Sequence, residues 1–115
     1  MASAILEINI KRDWPTADVA KERLRDEIAR AKRQGVKVLK IIHGYGSKGV
    51  GGVLREELRD LLLAMQKAGI VKQVLYGENF NMFERVTADL TAAHPELLKD
   101  RDYNHRNKGV TIVTL

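Results

Sequence analysis

From Ile5 to Lys11 the chain alternates apolar and polar positions. Leu6, Ile8 and Ile10 fall on one side and Glu7, Asn9 and Lys11 on the other, the period-two pattern of a strand with one buried face. Arg12-Asp13-Trp14-Pro15 is a connector, with Trp14 expected to pack over a strand end. Thr16 stands as a helix N-cap, with Asp18 placed against the helix dipole. Ala17, Ala20, Leu24, Ile28 and Ala31 then recur at helical spacing, and Gly35 closes that helix. Val36 to Ile42 reads as a second, more buried strand. Strand, helix and strand in this order make the two strands parallel, joined by a right-handed crossover. Leu54, Leu58, Leu61, Leu62 and Met65 mark one face of a helix from about Val53 to Ala68, stopped by Gly69, and Ile70 to Tyr76 is a third strand. Phe80, Phe83, Val86 (or Thr87) and Leu90 predict an amphipathic helix with Asn79 as its cap. His94-Pro95 breaks it, because the residue before proline avoids the α region. Glu96 to Lys99 form a further turn, Arg101 to Lys108 a polar, basic loop, and Val110 to Leu115 a final strand. The expected fold class is α/β: a two-layer sandwich, β-α-β-α-β-(α)-β, with a small mainly parallel (mixed) sheet, residues 1–115 forming a single domain.

Between the second strand and its helix stand His43 and five glycines within nine residues: Gly44, Gly46, Gly49, Gly51 and Gly52. Glycine permits positive φ and close approach of backbone to a ligand. The turn feeds a helix N-terminus, whose unpaired N–H groups and partial positive charge suit an anion, above all a phosphate. Lys48 and Arg55 add cations, and His43 sits at the strand's end, facing the bound group. A tight connection without a ligand is the competing account of the same glycines.

Composition narrows the classes. A length of 115 residues suits one domain with a modest core. There is no cysteine, which excludes disulfides and thiolate chemistry. No apolar run approaches the ~18 residues of a membrane span, and a soluble, cytoplasmic protein is expected. The net charge is +5, and Lys21 to Lys40 hold eight basic and three acidic residues, a difference equal to the whole net charge. That bias favours a polyanionic partner; a solubilising helix face is the alternative.

Three blocks resemble the Smr (small MutS-related) domain family. Ile41-Ile-His-Gly-Tyr-Gly, leading through Gly51-Gly52 to Val53-Leu54-Arg55, is similar to the family's His-Gly-x-Gly loop followed by Leu-Arg at a helix start. Gly109-Val-Thr-Ile-Val-Thr-Leu resembles its terminal strand, and the order of elements agrees. The likeness covers roughly residues 5–77 and 109–115, and residues 78–108 read as an inserted helix and basic loop. Where the family's first strand commonly carries Leu-Asp-Leu-His-Gly, this chain has Leu6-Glu7-Ile8-Asn9-Ile10. The resemblance implies nucleic-acid binding, DNA or RNA, and in some members endonuclease activity tied to the first-strand Asp and His. Replacement of that pair by Glu7 and Asn9 weakens the inference of cleavage more than that of binding.

Parallel strands end on one sheet edge, where ligands of open α/β sheets bind, so Asn9, Glu7 and His43 are expected to gather there beside the loop. Cleavage of a phosphodiester would use His43, with an unperturbed pKa near ~6.5, as base or acid. Glu7 would be a second proton carrier or assist a hard metal ion such as magnesium. Asn9 can only hydrogen-bond. Gly44, Tyr45, Gly46, Ser47, Lys48, Gly49 and Arg55 would hold the phosphate. The plainer account has Glu7 and Asn9 lining a solvated face. Tyr103, His105 and Arg106 either grip a nucleic-acid strand or form a polar loop, and His94 has no evident role. Two other functions stay open: a nucleotide-binding protein, because Gly44-x-Gly46-x-x-Gly49 matches a dinucleotide fingerprint, with Glu78 beyond the spacing expected of a ribose-binding acid; and a non-catalytic interaction module docking a partner through Phe80, Phe83 and Leu90.

Overall fold

A computed structural model of the chain describes residues 5–13, 15–44 and 50–115. The elements in order are β1 (Ile5–Asn9), α1 (Ala17–Arg33), β2 (Val38–Ile42), α2 (Val50–Lys67), β3 (Gln73–Tyr76), a 3-10 turn (Gly77–Asn79), α3 (Arg85–Ala93), a second 3-10 turn (Pro95–Lys99) and β4 (Val110–Thr114). They form the expected mixed α/β arrangement. The sheet order is β1-β2-β4-β3. β1 pairs parallel with β2, while β4 lies antiparallel between β2 and β3. The last strand therefore occupies an interior position, and its Val110 to Val113 are all buried. Trp14 lies outside the described residues.

Local signals explain most boundaries. Thr16 Oγ1 accepts a hydrogen bond from the Val19 amide and starts α1. Gly35 and Gly69, with φ of 76° and 78°, follow the ends of α1 and α2 in the left-handed conformation that glycine adopts without strain. α1 buries Ala20, Leu24, Ile28 and Ala31, and α2 buries Leu54, Leu58, Leu62 and Met65. Both pack on the sheet face carrying Leu39, Ile41 and Val113. No helix among the described residues is long and apolar enough to cross a membrane.

The second sheet face is covered too. Val38, Ile112 and Leu75 pack against Phe80, Leu90 and Leu97, all contributed by residues between β3 and β4. Tyr103 meets Phe80 edge to face, with ring centroids 5.3 Å apart. The segment expected as an insertion is thus a third layer over the sheet. Its helix starts later than the apolar spacing suggests. Asn79 and Asn81 hold a turn instead: Thr87 Oγ1 donates to the Asn79 carbonyl, Asn81 Nδ2 donates to the Glu78 carbonyl, and Asn81 Oδ1 accepts from the Phe83 amide. Such side-chain bonds compete with helix. Phe80 is consequently buried ahead of α3, while Phe83 is 81% exposed rather than on a core face.

Two close approaches pin this layer at its ends. A Cβ on Gly77 would stand 2.0 Å from the Asn107 carbonyl oxygen, so only glycine fits there. Lys40, 1% exposed in the middle of β2, reaches Asp100 at 2.7 Å and Asp102 at 2.5 Å, with Glu7 at 3.4 Å. Burial disfavours the Lys40 ammonium, but its two aspartate partners outweigh that and hold its pKa above the usual lysine value.

Candidate functional site

β1 and β2 end side by side, Asn9 opposite Ile42, and the chain then runs through His43 and Gly44 toward α2. Tyr45, Gly46, Ser47, Lys48 and Gly49 lie outside the described residues. The loop's first two amides do not face a ligand: His43 N–H and Gly44 N–H both donate to the Gly109 carbonyl, each at 3.0 Å. The expected cradle of free amides therefore does not include Gly44, whose φ of 84° requires glycine.

His43 is 1% exposed and turns to the helix face of the sheet. Its Nδ1 lies 2.9 Å from the Gly44 carbonyl, which can only accept, so the proton sits on Nδ1. Nε2 then accepts from the Thr111 hydroxyl at 2.8 Å, and Thr111 Oγ1 accepts from Arg59 Nε at 3.1 Å. Burial, helped by the Arg59 and Arg55 charges and opposed by the Gly44 bond, lowers the His43 pKa to about 4.

Arg59 anchors the network. Its guanidinium binds both Glu78 oxygens, at 3.0 and 2.7 Å, and the carbonyls of Lys108 and Val110, and it lies 4.1 Å over the Tyr76 ring. Burial raises the Glu78 pKa, yet its bonds to Arg59 prevail and the carboxylate stays below its usual range. Glu78 is committed to Arg59 and is not a free acid for a ribose. Arg55, one helical turn before Arg59, is half-buried and near enough to act on His43 and Glu78 electrostatically.

The three residues expected to share the chemistry are not brought together. Leu6 and Ile8 face the helices, so Glu7 and Asn9 point to the opposite sheet face from His43. Glu7 is paired with Lys40 and with Arg101 at 3.2 Å. Asn9 Oδ1 accepts from the Lys11 amide. A hard metal ion at Glu7 finds no support in its surroundings, and among the described residues no group of three or more His, Asp or Glu side chains could hold a metal. Tyr103 is half-buried and packs edge to face on Phe80.

The sequence pattern does not single out Arg59, Thr111 or Lys40 as site residues, although it carries a signal for each. Arg55 and Arg59 share a helix stripe by their spacing of four. Thr111 interrupts an apolar strand toward the helices. Lys40 belongs to the basic stretch, but a cation inside Val38-Leu-Lys-Ile-Ile demands a buried partner. Much of that stretch is engaged: Lys21 with Glu57, Arg23 with the Arg12 carbonyl, Arg30 with Glu27, Lys32 with the Ile70 carbonyl, and Lys40 with Asp100 and Asp102.

No curated protein and no solved structure matches the chain. The family model described as Smr domain matches residues 15–78, more than half of the 115 residues and inclusive of β2, the glycine-rich loop and α2. With the order of elements and the mixed sheet in agreement, the chain belongs to the Smr domain family.

Proposed function

We propose that the protein is a cytoplasmic nucleic-acid-binding unit of the Smr type, all 115 residues acting together, and that it grips backbone phosphates at the sheet edge where β1 and β2 end and α2 begins. The observation that carries this reading is the family match running through His43, the glycine-rich loop and Arg55. Lys48 and Arg55 supply charge there, joined at the same edge by Lys11 beside Gly44.

We read His43 as a residue that holds the loop rather than one that carries a proton. Both its ring nitrogens are occupied, it is excluded from solvent, and with a pKa of about 4 it is neutral at pH 7. Cleavage at this site is accordingly not assigned to His43, Glu7 and Asn9 as a trio; they serve the frame of the site. Binding of labelled single-stranded, duplex and branched DNA and RNA, with and without magnesium, tests the reading. Affinity should fall steeply with salt, because phosphate contacts release counterions, and Gly46→Val and Lys48→Ala should each weaken it. Affinity flat across salt would overturn it.

One observation favours a second reading. Phe83 and Met82 are 81% and 62% exposed side by side, more apolar surface than an isolated residue presents. A protein contact there would appear as concentration-dependent association that Phe83→Asp abolishes.

A further inference from the structure

The loop between the second 3-10 turn and β4 is held with unusual firmness. The Asn104 amide donates to the Phe80 carbonyl, and Asn104 Oδ1 accepts from the Met82 amide. Asn107 bridges Asp102 and the Gly109 amide, each at 2.8 Å. The Lys108 carbonyl is bound by Arg59. Asn104 and Arg106 both have positive φ, 67° and 52°. For arginine this left-handed conformation is strained, and such residues persist where the surroundings over-determine them, often at functional sites.

This firm loop carries exposed charge. Arg101, His105, Arg106 and Lys108 all face solvent. Asp102 is offset by Lys40 at 2.5 Å, whereas Arg101 is partly offset by Glu7 at 3.2 Å. A shallow cleft joins the loop to the proposed site, lined by Lys11, Gly44, Arg101, Asp102, Asn107 and Gly109. The basic stretch of α1 is divided: Lys21, paired with Glu57, and Arg23, bound to the Arg12 carbonyl, lie near this edge but are already engaged. Lys32 binds the Ile70 carbonyl just past the end of α2, so the last turn of α1 with Arg33, and Lys37 after it, lie toward the opposite end of α2 from the glycine-rich loop.

We infer that the 101–108 loop, and not the last turn of α1, is the second wall of the nucleic-acid surface: Arg106 and Lys108, with Arg101 and Lys11, contact phosphates on one side of the Gly44 edge while Arg55 contacts them on the other. This rests on the proposed function and adds to it a segment outside the matched residues 15–78. Rigid presentation of the cations limits the ordering cost on binding.

The test measures anisotropy of a labelled single-stranded and a duplex oligonucleotide over a salt series with wild type, Arg106→Asn/Lys108→Gln, and the control Arg33→Gln/Lys37→Gln, which removes the same charge from the far end. Asn suits the positive φ at 106, and the Lys108 carbonyl is kept, so the fold should persist. Arg101→Gln, at a side chain 68% exposed, is an independent second variant. Expected are a loss of affinity of about tenfold or more at moderate salt and a salt slope shallower by roughly two for the loop pair, a smaller loss for Arg101→Gln, and near wild-type binding for the control. Equal losses in loop and control variants, or none in either loop variant, would overturn the second wall while leaving the proposed function standing on wild-type binding. Wild type that binds neither oligonucleotide would overturn both.

Discussion

Arg59 donates to both carboxylate oxygens of Glu78, at 3.0 and 2.7 Å, and so ties the middle of α2 to the residue at which the extra layer leaves the sheet. The same guanidinium binds the Lys108 and Val110 carbonyls, where that layer returns. Through Thr111 it also reaches His43. One side chain therefore joins both ends of the 78–108 segment to the start of the glycine-rich loop.

Because these contacts act together, Arg59→Met and Glu78→Gln should not add. Each should destabilise by roughly 2–3 kcal/mol, since each strands a partner that is mostly withdrawn from water. A double-mutant cycle from urea denaturation should show coupling of roughly 1–3 kcal/mol. Strict additivity would mean that the pair is not an energetic unit.

The neutral His43 makes stability pH-dependent. Its folded pKa of about 4 lies below the ~6.5 of the unfolded chain, so between these values the unfolded state binds more protons. The contribution is complete above pH ~6.5, is lost as pH falls toward 4, and is on the order of 3 kcal/mol in total. His43→Gln should flatten this part of a stability curve measured by denaturation between pH 4.5 and 7. An unchanged slope in the variant would move the titration to other groups.

Lys40 is the clasp of the second sheet face. Lys40→Met leaves Asp100 and Asp102 facing an apolar side chain and should cost roughly 3–5 kcal/mol. Adding Asp100→Asn and Asp102→Asn should recover a large part of that loss in thermal and urea melts. If the triple variant is no better than Lys40→Met, the aspartates are not what the lysine neutralises.

The two phenylalanines of the extra layer should behave oppositely. Phe80→Ala opens a cavity under a fully buried ring and should cost roughly 3–5 kcal/mol. Phe83→Ser changes an exposed side chain and should shift stability by no more than about 0.5 kcal/mol. Comparable losses at both sites in urea denaturation would contradict the exposed placement of Phe83.

Local chemistry was legible along the chain. Thr16, Gly35 and Gly69 mark helix ends through one capping bond and two left-handed conformations, and period two or period 3.6 names the inward residues of β1, α1 and α2. The α/β class and the family likeness follow from these, because capping, glycine torsion and amphipathic spacing act within a few residues. Partner choice was not legible. The alternation in β1 shows that Glu7 and Asn9 share a face, but only the packing of Leu6 and Ile8 on the helices reveals that His43 lies across the sheet from them.

What the sequence determined alone is the order of elements, their core faces and the glycine-rich turn. Tertiary structure decided that β4 enters between β2 and β3, that residues 78–108 pack over the second sheet face, and that Lys40 and His43 belong to the interior. The physical reason is range: His43 meets Thr111 and Lys40 meets Asp100 across some sixty residues of chain, and burial and pairing at that separation exist only once the sheet has assembled.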